Sequence, residues 1–110
     1  MIKPPTLLAS TAMYGSGSMG LSNNLSKYMY VVCSFNTNFR SYTANPLVGI
    51  DFVKNFKNGT AIAGDWCYGN DNEKYTRCTI SFNYTNDTTV YVYTNHNASG
   101  SRWLYIYGMN

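Results

Sequence analysis

Residues Gly15–Gly20 read GSGSMG, which fits G-x-G-x-x-G letter for letter. In a dinucleotide site such glycines lie between a buried parallel strand and a helix, whose N-terminus holds the pyrophosphate. Here Gly20 is followed by LSNNLS and then by a strand-like run. No acidic residue stands about twenty residues on in a βαβ unit, as ribose recognition requires. The pattern has meaning only in that setting. The stretch therefore reads as a small-residue connection between two strands.

Other reactive side chains are equally isolated. His96, the one histidine, lies in the polar run TNHNAS, with no base–acid pairing of the kind acyl transfer needs. Asp51, Asp65, Asp71, Glu73 and Asp87 offer carboxylates, but no spacing selects the pair that glycoside hydrolysis uses. GNDNEK (69–74) holds oxygen ligands without the spacing of a calcium loop. Cys33, Cys67 and Cys78 form no C-x-x-C and have no metal-ligand spacing to His96. Three reduced thiols are expected, or one Cys67–Cys78 bridge closing a hairpin. The sequence thus predicts no catalytic residues, no metal and no cofactor, and a protein that is not an enzyme.

What remains is recognition. GDWCYGNDNEKY (64–75) gathers Trp66, Tyr68 and Tyr75 near Asp65, Asn70, Asp71 and Asn72. Aromatic rings stack on the apolar face of a sugar, and nearby amides and carboxylates hydrogen-bond its hydroxyls. That combination suits a ligand site. The alternative is that Trp66 belongs to the core and the rest is a hairpin loop.

The composition narrows the partners. The chain has 110 residues, 16% aromatic and only 12% charged, with a net charge of +3 and no basic stripe beyond Lys54 and Lys57. Nucleic-acid binding depends on clustered cations, so no nucleic-acid partner is expected. No run has the apolar length of a membrane span, and MIKPPTLLAS lacks the long apolar stretch of a signal peptide. Sequons begin at Asn24, Asn58, Asn83, Asn86 and Asn97. In a chain this rich in Asn, Ser and Thr they read as chance matches.

Strand-like runs at 6–14, 27–35, 47–54, 60–68, 75–84, 89–94 and 102–108 alternate with turn clusters. Asn58-Gly59 is a strong hairpin signal between two of them. The spacing predicts one all-β domain over 1–110, with 1–5 as a linker. Its expected fold is an antiparallel, jelly-roll-like β-sandwich of about seven to nine short strands. Side chains alternate along each run. Met29, Val31, Cys33 and Phe35, then Cys78, Ile80, Phe82 and Tyr84, Val90 and Val92, and Leu104 and Ile106 form an apolar side. Tyr28 and Tyr30, Tyr91 and Tyr93, and Trp103, Tyr105 and Tyr107 form an aromatic one. The aromatic side is either a second core face or an amphipathic surface that packs against neighbouring copies.

Three phrases carry a resemblance: Leu7-Leu8-Ala9-Ser10, then LSNNLSKYMYVVCSF (21–35) after the glycine–serine stretch, and the closing RWLYIYGMN (102–110). In outline nearly the whole chain resembles the C-terminal receptor-binding or tip domains of bacteriophage tail fibres and related virion proteins. The resemblance implies a homotrimeric β-sandwich, joined to a particle by its N-terminus. It also implies binding to a host-surface glycan or outer-envelope protein. MIKPP departs from the long upstream shaft such a domain would follow. The competing readings are a secreted, glycosylated carbohydrate-binding or defence protein, and a purely structural virion component. If neighbouring strands alternate in direction, loops 15–24, 55–59 and 84–88 share one end. Loops 36–46, 69–74 and 95–101 then share the other with the N-terminus. A fibre would present the first group, whereas the aromatic-rich stretch falls in the second.

Overall fold

Among the described residues eight strands form two antiparallel sheets packed face to face. The structure, a computed structural model, describes residues 3–13, 15–37, 47–69, 75–94 and 102–110. The strands are β1 (Thr6–Met13), β2 (Gly17–Gly20), β3 (Tyr30–Thr37), β4 (Leu47–Phe52), β5 (Ile62–Gly69), β6 (Tyr75–Asn86), β7 (Thr89–Thr94) and β8 (Arg102–Met109). A 3₁₀ turn spans Leu25–Lys27, and a short helix α1 spans Val53–Lys57. One sheet has the order β1-β8-β3-β4 and the other β2-β7-β6-β5. The expected all-β sandwich is therefore present. The chain changes sheet between β1 and β2, β2 and β3, β4 and β5, and β7 and β8. Its remaining sequence neighbours, β3 with β4, β5 with β6 and β6 with β7, pair antiparallel.

The period-2 pattern explains the core. Val31, Cys33 and Phe35 of β3, Leu104 and Ile106 of β8, Ile80 and Phe82 of β6, and Val90 and Val92 of β7 are all buried, whereas Met29, expected on the same face, precedes β3 and is 56% exposed. The buried residues interdigitate between the sheets, and the Phe35 and Phe82 ring centroids lie 6.4 Å apart. A bulge in β1 lets Leu7 pair with Tyr107 and Ala9 with Ile106. Leu8 is the extra residue, so Leu8 and Ala9 both reach the core while Leu7 stays exposed. Cys33 is a buried free thiol, and its burial pushes the thiol pKa far up. A thiol kept protonated in an apolar setting is a small hydrophobe rather than a nucleophile.

Two expectations fail here. The glycine stretch is not only a loop, because Gly17–Gly20 pairs with β7, Ser18 opposite Tyr91 and Met19 opposite Val90. Its lone apolar side chain, Met19, is buried. Four residues with one hydrophobe carry too little alternation to be read as a strand. Asn58-Gly59 does not turn a hairpin either. It ends α1, with the Asn58 N–H donating to the Asn55 and Phe56 carbonyls and Gly59 at φ 100°. The positive φ is what the glycine supplies at a helix end. Val53 and Phe56, three apart, are both buried and plug the end of the sandwich. β4 and β5 consequently lie in different sheets rather than pairing.

Candidate functional site

Strand directions sort the connections into two ends. Thr6 pairs with Gly108, and Tyr30 pairs with both Met109 and Phe52. The start of β1 thus shares an end with the C-terminal residue, the 3₁₀ turn and α1. The β6–β7 turn joins them, since Leu21 N–H donates to Thr88 C=O at 2.8 Å and Ser22 N–H to Leu8 C=O at 2.9 Å. We call this the proximal end. At the distal end Met13 pairs with Arg102, Thr37 with Arg102, and Gly69 with Tyr75. The connections 38–46, 70–74 and 95–101 all leave from distal strand ends. This corrects the expected polarity, because β2 adds one traverse of the sandwich. Residue 6 therefore lies at the end opposite those connections, not beside them.

The aromatic-rich stretch therefore straddles the distal end. Asp65, Trp66 and Tyr68 lie on β5, opposite Thr79, Cys78 and Thr76, and Tyr75 opens β6 opposite Gly69. Of these residues the backbone pairing alone is described. Asn70, Asp71 and Asn72, between the two strands, lie outside the described residues, as does His96. Cys67 pairs with Arg77 and Cys78 with Trp66, so the two cysteines are one register step out of opposition.

The seven aromatic residues expected on one flank occupy three places. Tyr30, Trp103, Tyr105 and Tyr107 lie on the outer face of the β1-β8-β3-β4 sheet. Tyr91 and Tyr93 lie on the outer face of the other sheet, on the opposite side of the molecule. Tyr28 precedes β3 and packs on the core side, its ring lying where a Cβ on Gly108 would stand. Alternation assigns a face within a strand. It does not say which sheet the strand joins.

A third feature was not legible. In β4 the outward residues are Val48, Ile50 and Phe52, 65%, 55% and 43% exposed, while Gly49 and Asp51 point the other way. An edge strand normally has the reverse arrangement. Gly49 explains it locally, because a Cβ there would stand 2.5 Å from Ile62 Cγ2. β4 can approach β5 only through a residue without a side chain. The outward β4 residues continue two lateral rows, Leu7–Tyr107–Val32–Ile50 and Ser10–Tyr105–Ser34–Val48. The Tyr30 and Phe52 rings lie 4.8 Å apart beside them. Neither row contains a charged residue. The outer face of the other sheet is different: Tyr91 lies between Ser18 and Asn83, and Tyr93 opposite Ser81.

The proximal end is held by a polar cluster. Asp87 accepts from the Ser26 hydroxyl at 2.8 Å and the Ser26 N–H at 3.2 Å, and Lys57 Nζ lies 3.2 Å from the same carboxylate. Lys57 also lies 5.7 Å from the Tyr84 ring centroid. Partial burial pushes the Asp87 carboxyl up, but the Ser26 hydrogen bonds and the Lys57 charge outweigh it. The group is held below the usual carboxylate range. A carboxylate depressed in the folded state stabilises above its unfolded pKa, and that contribution disappears as pH falls through the folded value. Asp87→Ala should cost up to about 1 kcal/mol at pH 7, as for a mostly solvated ion pair. The difference should start to shrink as pH falls to the unfolded carboxyl's value, about 4, and disappear only as pH passes below the lower folded value. Urea titrations across pH 2–7 measure this, and a constant difference over the whole range would contradict it.

Two clefts accompany these features. One, of about 290 Å³, is lined by Ser26, Tyr28, Met29, Phe52, Lys54 and Lys57 at the proximal end. The other, of about 210 Å³, opens between β4 and β5 over Cys33, Phe35, Ile62 and Phe82. Among the described residues no three His, Cys, Asp or Glu side chains are grouped to hold a metal ion. Among them, too, no helix is long and apolar enough to cross a membrane. No family model and no curated protein matches the chain.

Proposed function

We propose that the chain is a non-enzymatic adhesin module of the virion tail-fibre kind. Its distal end binds a host-surface glycan or outer-envelope protein, and it works as a homotrimer. The strand polarity supports this reading most. A shaft joined ahead of Thr6 would meet the proximal end, whereas β5 ends at Gly69 and β6 begins at Tyr75 at the distal end, so the strand positions of Trp66, Tyr68 and Tyr75 lie towards the end away from it. The position that attachment favours and the chemistry suited to sugars then coincide. Three linked copies would raise the avidity of weak single sites by roughly a hundredfold or more.

A glycan array followed by adsorption to susceptible cells tests the proposal. Wild-type protein should bind a defined saccharide set, with purified envelope polysaccharide competing. Combined Asn70→Ala, Asp71→Ala and Asn72→Ala substitution should weaken binding at least tenfold, about 1.4 kcal/mol, with an unchanged unfolding midpoint. No binding to any susceptible host, or binding indifferent to the triple substitution, would refute it. Hexose mass on protein from its native source would favour the secreted, glycosylated alternative.

A further inference from the structure

We infer that the cleft at the proximal end is a binding site for a small amphiphilic anion, a carboxylate or phosphate carried on an apolar body. The inference concerns the opposite end from the distal site and does not rest on the adhesin reading. The cleft, of about 290 Å³, lies between the residues leading into β3 and the junction of β4 with α1. That is close to the lower limit of small-molecule sites, roughly 300 Å³. Tyr28, Met29, Phe52 and Val53 supply its apolar walls. Met29 and Phe52 remain 56% and 43% exposed, so these walls keep apolar area that a ligand would remove from water.

The walls are fixed without a ligand. Met29 N–H donates to Met109 C=O at 3.1 Å and to Asn110 Oδ1 at 3.0 Å, and Val53 N–H donates to Met29 C=O at 2.9 Å. The Tyr28 ring packs where a Cβ on Gly108 would stand, and the Phe52 ring lies 4.8 Å from that of Tyr30. A cleft already formed loses little conformational freedom when it is filled. A segment ahead of Thr6 leaves it open as well. β1 and β4 are opposite edges of the order β1-β8-β3-β4, three strand spacings or about 14 Å apart.

Charge selects the ligand. Lys54 and Lys57 both line the cleft, three residues apart on α1 and so on neighbouring parts of its surface. Lys57 is engaged, donating to Ser26 Oγ at 2.7 Å and lying 3.2 Å from Asp87. Lys54 is exposed and, among the described residues, its ammonium has no hydrogen bond or ion pair. Lys27 stands beside it in the chain's other wall, between the lining residues Ser26 and Tyr28. The two carboxylate side chains at this end are both taken. Asp87 is held by Ser26 and Lys57, and Asp51 accepts from Phe52 N–H at 2.7 Å and Asn55 Nδ2 at 3.2 Å. Every described lysine, Lys3 included, belongs to the proximal end, although the four are scattered over the first 57 positions of the sequence. An unpartnered cation beside wet apolar walls suits an anionic head on an apolar body. A neutral ligand would leave Lys54 unused, and a bare anion would leave Met29 and Phe52 in water.

Calorimetric titration of the full chain tests this, with octyl phosphate, octanoate, octyl glucoside and inorganic phosphate as probes, each below micelle-forming concentration. Octyl phosphate and octanoate should saturate one site per chain, at least about tenfold more tightly than octyl glucoside or inorganic phosphate. Amide shifts on binding should concentrate at residues 26–29 and 52–57. Lys54→Gln should weaken both octyl anions at least about fivefold and leave octyl glucoside unchanged, and raised ionic strength should act the same way. Met29→Ser should weaken the octyl anions roughly threefold. Both side chains are exposed, so neither variant should shift the unfolding midpoint. No saturable binding of either octyl anion at millimolar concentration overturns the inference. So does octyl glucoside or inorganic phosphate binding as tightly as octyl phosphate, or an affinity untouched by Lys54→Gln. Co-sedimentation with phosphatidylglycerol vesicles while the free octyl anions fail to bind would make this end a membrane-facing surface, and overturns the inference too.

Discussion

Phe82→Ala should destabilise the protein by about 4 kcal/mol, a large part of the 5–15 kcal/mol that holds a domain of this kind folded. Phe82 is almost fully buried at the middle of β6, paired with Ile62 on one side and Val92 on the other. Its ring faces Phe35 across the sandwich and forms one wall of the cleft between β4 and β5. Removing it loses the transfer energy of the ring and joins an existing void to the core. The surrounding strands are fixed by ladders on both edges of β6, so they cannot collapse into the space. Urea unfolding at one protein concentration should show a lower midpoint with an unchanged slope. Fixing the concentration matters because the proposed self-association would add to apparent stability. Phe82→Leu should cost less than half as much. A loss below 1 kcal/mol for Phe82→Ala would mean that the two sheets do not bear on each other through this ring.

Gly108→Ala should cost about 1–3 kcal/mol, the range for overfilling a packed site, and almost nothing once Tyr28 is also alanine. An added Cβ would stand 2.5 Å from Tyr28 Cδ2 and Cγ and 2.7 Å from Cδ1. Those are body atoms of a ring, so a small swing of the side chain does not relieve the clash. The ring's surroundings are tied down as well. Tyr28 N–H donates to Leu25 C=O at 3.0 Å, Met29 N–H to Met109 C=O at 3.1 Å, and Val53 N–H to Met29 C=O at 2.9 Å. To admit the methyl group, the Tyr28 ring must leave the core or β8 must shift against β1 and β3. A double-mutant cycle over Gly108→Ala and Tyr28→Ala measures the coupling. Additive losses would show that the glycine serves some purpose other than admitting the ring.

The proposed distal site is legible by residue type and hidden by position. Trp66, Tyr68 and the Asn–Asp run are of the types that suit sugar binding. Their end of the molecule depends on how many times the chain crosses the sandwich before reaching them. Counting crossings needs β2, whose one buried side chain, Met19, is too little to reveal a strand. The error over Asn58-Gly59 has a related cause. The dipeptide favours a left-handed residue, and a helix end uses that conformation as readily as a hairpin does. What chose the helix end was the burial of Val53 and Phe56 beneath the proximal loops, a contact made by residues distant in sequence. The aromatic flank was misread for want of sheet membership: β7 carries Tyr91 and Tyr93 to one side of the molecule, while β3 and β8 carry their rings to the other.

By itself the sequence determined the strand alphabet of this protein and its main core contributors. Alternation is local, and placing Val90 with Val92, or Leu104 with Ile106, inside needs only a pleat of period two. Tertiary structure alone decided which strands share a sheet, which way the chain enters, and that β4 presents Val48, Ile50 and Phe52 outward. Those outcomes follow from pairings between distant segments and from close approaches such as Gly49 against Ile62. No local period encodes them, because each depends on where another part of the chain comes to lie.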